Sequence, residues 1–250
     1  MEILTRVIRQ LAKLVGTFII FGTLTLQNFM DAKTIVFCDF DGTITTADTF
    51  GDALGKFAPE ISVDILPKLY HREITLREGV RTILEAIPSE RFPAFVDEVN
   101  DKQTRPGFSE FLQFLTANQV PCVVVSGGLV AMVERVLARM GTDGQPHRAH
   151  IETVAAMNID TQDEFFTIIS PFEGGTELVE KVQVMAKYQY QKAIAIGDSL
   201  TDINMALEAD LVFARRHLRD YLDQEGKTNY VPWETFDDIR NYLETNGFPA

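Results

Sequence analysis

Residues 34–43 read TIVFCDFDGT, in which five apolar or β-branched residues run directly into a turn with two carboxylates and a glycine. The first five predict a short strand buried on both faces, as strands of parallel sheets are. Residues 120–125 (VPCVVV) and 193–196 (AIAI) are similar apolar runs, and each also ends in a polar turn containing glycine. Because helical patterns separate these runs, they predict an α/β fold with a doubly wound parallel sheet. Ligands bind such sheets at the carboxyl ends of the strands, where all three turns lie.

The first turn carries two carboxylates, Asp39 and Asp41, two residues apart at the end of a strand. Gly42 permits a sharp turn that can bring both side chains into one cleft. Asp39 can attack phosphorus directly, because aspartyl phosphates are an established type of covalent intermediate. Asp41 can protonate the leaving oxygen and then deprotonate the water that hydrolyses the intermediate. The backbone N–H groups of this turn, as far as Thr43, are expected to form an anion-binding nest that holds phosphate.

The second turn, residues 126–128 (SGG), follows an apolar strand and precedes a helical pattern. The hydroxyl group of Ser126 and the backbone N–H of Gly127 can donate to a phosphate oxygen near the start of that helix. We therefore expect both residues to bind substrate.

The third turn carries Asp198, with Asp202 four residues further on. Magnesium is a hard cation that binds a few carboxylates together with phosphate and water. Asp39, Asp198 and the backbone carbonyl of Asp41 therefore predict a magnesium site. Asp202 would hold a coordinating water or orient the other ligands.

The composition limits the partners that the protein can have. The chain has 250 residues, with 23 Lys and Arg against 36 Asp and Glu, so its formal net charge is −13. An acidic surface repels polyanions, which argues against nucleic acid as a partner. It would repel a small phosphorylated metabolite too, so the metabolite that we expect as substrate requires cations within the site. Cys38 and Cys122 lie within apolar runs and predict buried free thiols, as expected in the reducing cytoplasm. The sequence is compatible with either a monomer or a homodimer.

The chain divides into three parts by its patterns. Residues 1–30 form an extension with basic residues before an uncharged stretch, and the sequence allows three interpretations: an upstream segment before a true start at Met30, a flexible or amphipathic extension, or a membrane anchor. Residues 48–105 show helical signals and no convincing strand, which predicts a helical cap with mobile docking, as a lid requires. Residues 31–47 and 106–250 would form the catalytic core.

These motifs resemble those of the haloacid dehalogenase (HAD) superfamily. Residues 39–45 (DFDGTIT) match its first motif, Ser126 the second, and Asp198 with Asp202 the fourth. The resemblance implies the HAD-like fold, a magnesium-dependent reaction and a phosphoaspartate at Asp39. The acid at Asp41 is similar to the phosphatase branch, and the helical insertion is similar to that of the phosphoserine-phosphatase-like subfamily.

The third motif of the superfamily is where this sequence departs from the pattern. The family has a lysine at the start of the helix before the metal-binding strand. We predict that this helix runs from Thr176 to about Tyr188, and its start contains no lysine. Lys181 lies more than a turn further in and is the candidate for the catalytic cation, ahead of Lys187.

Two relatives within the subfamily offer different substrates. Residues 57–60 (FAPE), 77–80 (REGV) and 105–108 (RPGF) resemble the methionine-salvage phosphatases, which act on 2-hydroxy-3-keto-5-methylthiopentenyl-1-phosphate. Phosphoserine phosphatases instead hold an amino acid with a cap acid and an arginine, for which Asp48 and Arg81 are the candidates here. We favour the first substrate. A third alternative is a HAD-fold binding protein that has lost catalysis, supported by the missing lysine.

Overall fold

The computed structural model describes residues 32–71 and 73–249 of the chain. The extension predicted for residues 1–30 lies outside this part. Within the described residues, no helix has both the length and the apolar character needed to cross a membrane.

The predicted doubly wound α/β fold is confirmed. The strands are β1 (Ala32–Cys38), β2 (Cys122–Leu129), β3 (Thr153–Asp160), β4 (Thr167–Ile169), β5 (Tyr190–Gly197), β6 (Leu211–Ala214) and β7 (Tyr230–Pro232). They form one sheet in the order β4-β3-β2-β1-β5-β6-β7, in which β4 alone is antiparallel to its neighbour. The chain builds outward from β1 on one side and then returns to build outward on the other. The carboxyl ends of β1, β2 and β5 therefore meet where the strand order reverses, the position at which such sheets bind ligands.

Ten α-helices lie among the described residues, all of them after β1 in the chain. They are α1 (Thr49–Phe57), α2 (Pro59–Tyr70), α3 (Leu76–Leu84), α4 (Phe92–Asp97), α5 (Phe108–Ala117), α6 (Val130–Leu137), α7 (Lys181–Met185), α8 (Ile203–Glu208), α9 (Arg216–Gln224) and α10 (Phe236–Asn246). Thr75 and Glu78 form a capping box at the start of α3. Strands β3 and β4 pair as an antiparallel hairpin.

Residues 48–105 contain α1 to α4 and contribute no strand to the described sheet. The segment is held against the hairpin of β3 and β4 by aromatic contacts. Phe92 and Phe95 lie edge-on to Phe166, with ring centroids 5.8 and 5.9 Å apart respectively. The Ser89 N–H donates to the Glu164 carbonyl at 2.9 Å. These contacts dock the helical segment on the core, and both its mobility and the exact division into cap and core stay predictions.

The helix predicted over residues 176–188 is wrong at its start. In the structure α7 begins at Lys181, with Glu180 as the residue before its first turn. The Glu180 N–H donates to the Phe172 carbonyl at 2.9 Å, rather than to Thr176 as a continuous helix would require. This bond to a residue eight positions earlier keeps residues 172–180 in a loop, so the helix begins only after Glu180. No local sequence pattern indicates such a bond.

Candidate active site

Asp39 lies at the carboxyl end of the central strand and is almost fully buried. Its backbone N–H donates to the Ile196 carbonyl at 2.9 Å, which ties the end of β1 to β5. Its Oδ1 accepts a bond of 2.5 Å from Lys181 Nζ, whereas its Oδ2 is buried without a hydrogen-bond partner. Burial and then the charge of Asp202 raise the pKa of Asp39, and Lys181 opposes that rise. The free oxygen is the atom that can attack an electrophile.

The start of α7 carries a lysine, Lys181, although we expected no lysine at the start of this helix. As the first residue of α7 it is only 2% exposed, and its Nζ lies 2.5 Å from Asp39 Oδ1 and 2.5 Å from Asp202 Oδ1. Burial alone would lower the pKa of Lys181, but the charges of Asp202 and Asp39 outweigh it and raise the pKa. The ammonium group is therefore charged between two carboxylates. Lys187, the other candidate, is exposed.

Three carboxylates form a group that suits a divalent cation. One oxygen each of Asp39, Asp198 and Asp202 lies within 4.8 Å of the others. Asp198 Oδ1, like Asp39 Oδ2, is buried without a hydrogen-bond partner. Burial and the charge of Asp202 raise the pKa of Asp198 to about 6. Two unpartnered carboxylate oxygens in one buried group fit the oxygen-rich coordination that magnesium prefers.

Asp202 orients this group rather than offering free ligand atoms. Its Oδ1 accepts from Lys181, and its Oδ2 accepts from the backbone N–H groups of Asp198 and Ser199 at 3.0 and 2.9 Å. Both oxygens are thus engaged, and the choice between orienting the other ligands and holding a coordinating water stays a prediction.

Asp41 has different surroundings from Asp39, although the two lie on the same loop of residues 39–45, which we call the 39–45 loop. Its Oδ1 accepts from the Thr49 N–H at 2.8 Å, the Thr49 hydroxyl at 2.5 Å and the Phe50 N–H at 3.1 Å, all in the first turn of α1. Burial and the charge of Asp48 raise the pKa of Asp41 to about 7, and the bonds from Thr49 and Phe50 oppose that rise. A carboxyl group of this pKa can both give and take a proton near neutral pH.

Asp41 and Ser126 come together at Gly128. A Cβ atom at Gly128 would lie 3.2 Å from Asp41 Oδ2 and 3.3 Å from Ser126 Oγ. The Ser126 Oγ accepts from the Gly128 N–H at 2.9 Å, which leaves its proton to donate. Thr43 Oγ1 is buried without a partner, and open space surrounds Gly127. The roles of these residues in binding substrate stay predictions.

The expected N–H nest of the 39–45 loop is only partly available. The Gly42 N–H already donates to the Ala47 carbonyl at 3.1 Å and to Thr45 Oγ1 at 3.2 Å. Gly42 has φ of 75°, and a Cβ there would lie 2.5 Å from Asp198 Oδ2. Only glycine can therefore bring the loop this close to the acidic group.

Three arginines near the site were not singled out as site residues from the sequence. Arg216 Nη1 lies 3.3 Å from Asp198 Oδ2, and Arg105 and Arg215 both donate to the 39–45 loop. A basic pair directly after β6, at the carboxyl edge of the sheet, was the signal available for two of them. Arg105 is the last residue of the helical segment, and its place in the 105–108 (RPGF) motif gave no indication of a role in the site.

Asp48 and Arg81, the candidates for binding an amino acid, are engaged elsewhere. Asp48 Oδ1 accepts from the Gly51 N–H at 2.8 Å, as the capping residue of α1. Arg81 is paired with Glu85 at 2.7 Å and with Glu173 at 2.8 Å. Both side chains thus have the ordinary structural roles of a helix cap and a surface ion pair.

Comparison with known proteins agrees with this geometry. Residues 36–207 match the family model described as haloacid dehalogenase-like hydrolase. A protein of Microcystis aeruginosa (strain NIES-843 / IAM M-2473) named 2-hydroxy-3-keto-5-methylthiopentenyl-1-phosphate phosphatase is 47% identical over 209 residues, which cover 84% of this chain and 97% of that protein. A protein of the same name from Bacillus cereus (strain G9842) is 30% identical over 224 residues, which cover 84% of this chain and 95% of that protein.

Solved structures show the same fold at lower identity. A phospho-aspartyl intermediate analogue of phosphoserine phosphatase superposes with a TM-score of 0.59 at 17% identity, over 85% of this chain and 99% of that one. A HAD family hydrolase from Salmonella enterica serovar Typhi gives a TM-score of 0.63, also at 17% identity, over 87% of this chain and 73% of that one.

Proposed function

Because the chain belongs to the haloacid dehalogenase-like hydrolase family, we propose that it hydrolyses 2-hydroxy-3-keto-5-methylthiopentenyl-1-phosphate through a phosphoaspartate at Asp39. The relatives that carry this name, at up to 47% identity over nearly their whole length, support the substrate. The buried contact between Lys181 and Asp39 carries the proposal. It keeps one oxygen of Asp39 neutralised and fixed while the other is free.

In the first step Asp39 Oδ2 attacks phosphorus and the bond between phosphorus and the ester oxygen breaks. The leaving oxygen takes a proton from Asp41, whose pKa of about 7 leaves a substantial protonated fraction near neutral pH. Ser126 and Thr43 have hydroxyl groups that can donate to the phosphoryl oxygens. Phosphoryl transfer of this kind depends mainly on positioning and on charge neutralisation.

In the second step Asp41, now ionised, takes a proton from water, and the water oxygen attacks phosphorus. The bond between phosphorus and Asp39 breaks, inorganic phosphate leaves, and the Asp39 carboxylate is regenerated. Lys181 neutralises that carboxylate as it leaves phosphorus.

Asp39 and Asp198 would hold a magnesium ion through one carboxylate oxygen each, and Asp202 orients Asp198 by accepting from its backbone N–H. When bound, the ion supplies positive charge to the phosphoryl oxygens.

The organic part of the substrate is the point on which the two alternatives differ. Phosphoserine carries an ammonium and a carboxylate group, and its recognition needs free partners of opposite charge. Arg81 is paired with Glu173 and Glu85, and Asp48 caps a helix. Phe50 lies beside Gly128, where it presents an apolar ring. These surroundings favour an uncharged leaving group over phosphoserine. The lapsed-enzyme alternative loses its main support, because Lys181 contacts Asp39.

We also propose the partner and compartment that the sequence predicts: a small phosphorylated metabolite, hydrolysed in the cytoplasm. Cys38 and Cys122 are buried free thiols, which supports a reducing compartment.

The test is phosphate release with magnesium, comparing the methylthiopentenyl ester with phosphoserine and a generic aryl phosphate. We expect the highest kcat/KM on the methylthiopentenyl ester. A higher kcat/KM on phosphoserine would favour the alternative substrate. A folded protein that releases no phosphate from any of the three would contradict the proposed activity.

A further inference from the structure

Arg105 donates several hydrogen bonds to backbone carbonyls of the 39–45 loop. Its Nε donates to the Thr43 carbonyl at 2.8 Å, and its Nη2 donates to the carbonyls of Gly42 and Thr45 at 2.6 and 3.2 Å. Its backbone N–H donates to the Ile44 carbonyl at 2.7 Å. The residue is 7% exposed, so these bonds form away from bulk water. Bonds from a buried charged group to backbone carbonyls are among the stronger hydrogen bonds in proteins.

A second guanidinium group reinforces the same carbonyl. Arg215 Nη1 also donates to the Gly42 carbonyl, at 3.0 Å, and its Nη2 pairs with Glu234 at 3.0 Å. The ring of Trp233 contacts both guanidinium groups, at 5.4 Å from Arg105 and 5.5 Å from Arg215. Cation–π contacts of this kind attract guanidinium groups to the face of an aromatic ring. The 39–45 loop is thus anchored to the C-terminal part of the chain.

Gly42 lies between this anchor and the acidic group of the site. Its carbonyl faces the two guanidinium groups, whereas its Cα is so close to Asp198 that no side chain would fit. If the peptide after Gly42 rotated, its carbonyl dipole would turn away from the arginines. Asp41 is the residue immediately before, so its side-chain direction depends on the same backbone.

Arg105 also joins the two chain segments that connect the helical region with the rest. The Thr46 N–H donates to the Gln103 carbonyl at 3.0 Å, and Thr45 and Thr104 form an antiparallel bridge. The guanidinium group of Arg105 therefore lies where the segment leading into the helices and the segment leading out of them run side by side.

We propose that Arg105 is a positioning residue for phosphoryl transfer: its guanidinium group fixes the carbonyls of the 39–45 loop and thereby aims Asp41 at the leaving oxygen. The inference rests on the proposed function only in that Asp39 and Asp41 do the chemistry. Since Asp41 acts as an acid in the transition state, loss of the hydrogen bonds from Arg105 should lower kcat more than it raises KM.

The chain offers a matched control in Arg139. Its guanidinium group also donates to backbone carbonyls, those of Val99, Asn100 and Lys102, but these lie in the segment after α4 rather than in the 39–45 loop. Lysine keeps the charge of arginine but cannot form the planar fork. Arg105→Lys and Arg139→Lys therefore remove similar bonds from two different stretches of backbone.

The experiment measures kcat and KM of both variants with a generic aryl phosphate, together with their melting temperatures. Use of this ester separates the test from the choice of natural substrate, and an inactive wild type would contradict the proposed function instead. We expect Arg105→Lys to lower kcat by about tenfold or more with KM changed less than about threefold, and Arg139→Lys to keep kcat within about twofold. Hydrogen exchange at Gly42 and Thr45 should accelerate only in the Arg105 variant.

An Arg105→Lys enzyme that keeps its kcat, or an Arg139→Lys enzyme that loses as much, would overturn the proposal. If Arg105→Lys does not fold, Arg215→Lys removes one of the two bonds to the Gly42 carbonyl and leaves the other. This variant should lower kcat by about threefold, because the carbonyl remains partly held. An unchanged kcat in that variant would equally contradict a positioning role.

Discussion

The two carboxylates of the 39–45 loop lie two residues apart and have opposite surroundings. Asp39 lies in an ionic region, with Lys181 on one oxygen and two further carboxylates nearby. Asp41 lies in a region of neutral donors, where Thr49 and Phe50 hold one oxygen and no cation is in contact with it among the described residues. The difference assigns their chemistry. A carboxylate neutralised by a cation can attack an anion, and a half-buried carboxyl group without a cation can keep a proton.

The largest effect is expected when the ionic region loses its nucleophile. Asp39→Asn removes the attacking oxygen but keeps the shape of the side chain, so turnover should fall by on the order of 10⁴-fold or more without unfolding the protein. Phosphate release and circular dichroism check the two parts of this prediction. A folded variant with a near-normal rate would rule out a phosphoaspartate at Asp39.

The next effect is expected at the cation of the same region. Lys181→Met keeps the length of the side chain but leaves Asp39 and Asp202 facing each other without a charge between them. We expect kcat to fall by about 10³-fold, since a preorganised charge at the reacting atoms is lost. Lys187→Met is the control, because that lysine is exposed and should leave kcat unchanged. Equal losses in both variants would contradict the assignment of Lys181.

A smaller effect is expected in the neutral region. Asp41→Asn should lower kcat by about 10²-fold and remove the pH dependence near neutrality, since general acid–base catalysis typically contributes this much. A pH–rate profile that kept its limb near 7 would point to another acid.

Asp41→Asn should also change how stability depends on pH. In the folded protein the pKa of Asp41 is raised from 3.8 to about 7, so the folded state binds the proton more tightly than the unfolded one. Its contribution to stability is fully present below pH 3.8 and is lost as the pH rises through about 7. The melting temperature of the wild type should therefore fall across this range more steeply than that of Asp41→Asn. Parallel curves for the two proteins would contradict the raised pKa.

The smallest effect is expected when Asp41 loses one of its three hydrogen-bond donors. Thr49→Val removes the hydroxyl bond to Asp41 Oδ1 and keeps both backbone bonds. Loss of a bond that favours the ionised form should raise the pKa of Asp41 and move the limb of the pH–rate profile that reports this pKa to higher pH. We expect kcat to change by only about two- to fivefold. Thr46→Val, whose hydroxyl lies on an exposed part of the chain, serves as the control. A limb that does not move would show that the backbone bonds alone determine this pKa.

Much of the ionic region could be predicted from the sequence, because its acids follow strands directly. Asp39 and Asp198 each come at the end of an apolar run, and strand ends in a parallel sheet meet at one edge. Asp41 was placed by the same argument. The sequence also indicates Lys181 as a candidate, but it predicts the wrong start for the helix that carries this lysine. The start depends on the bond from the Glu180 N–H to the Phe172 carbonyl, and no local sequence pattern shows that bond.

The neutral region and the arginine anchor depend on contacts that no spacing shows. The Thr49 bonds to Asp41 join two segments through the start of α1, and the Arg105 bonds join residues about 60 positions apart. The 105–108 (RPGF) motif draws attention to Arg105 as part of a resemblance, but it does not show that the guanidinium group donates to the carbonyls of the 39–45 loop. Trp233 adds a third segment, more than a hundred residues further along the chain.

The burial of Lys181 gives the protein an internal reporter. With its side chain 1% exposed, this amine is shielded from acylating reagents as long as the fold around it persists, whereas Lys187 six residues later stands in solvent. Acylation of Lys187 should therefore proceed in the native protein, and acylation of Lys181 should occur only when α7 opens. Peptide mapping after brief labelling would then measure the fraction of a preparation that retains an assembled active site.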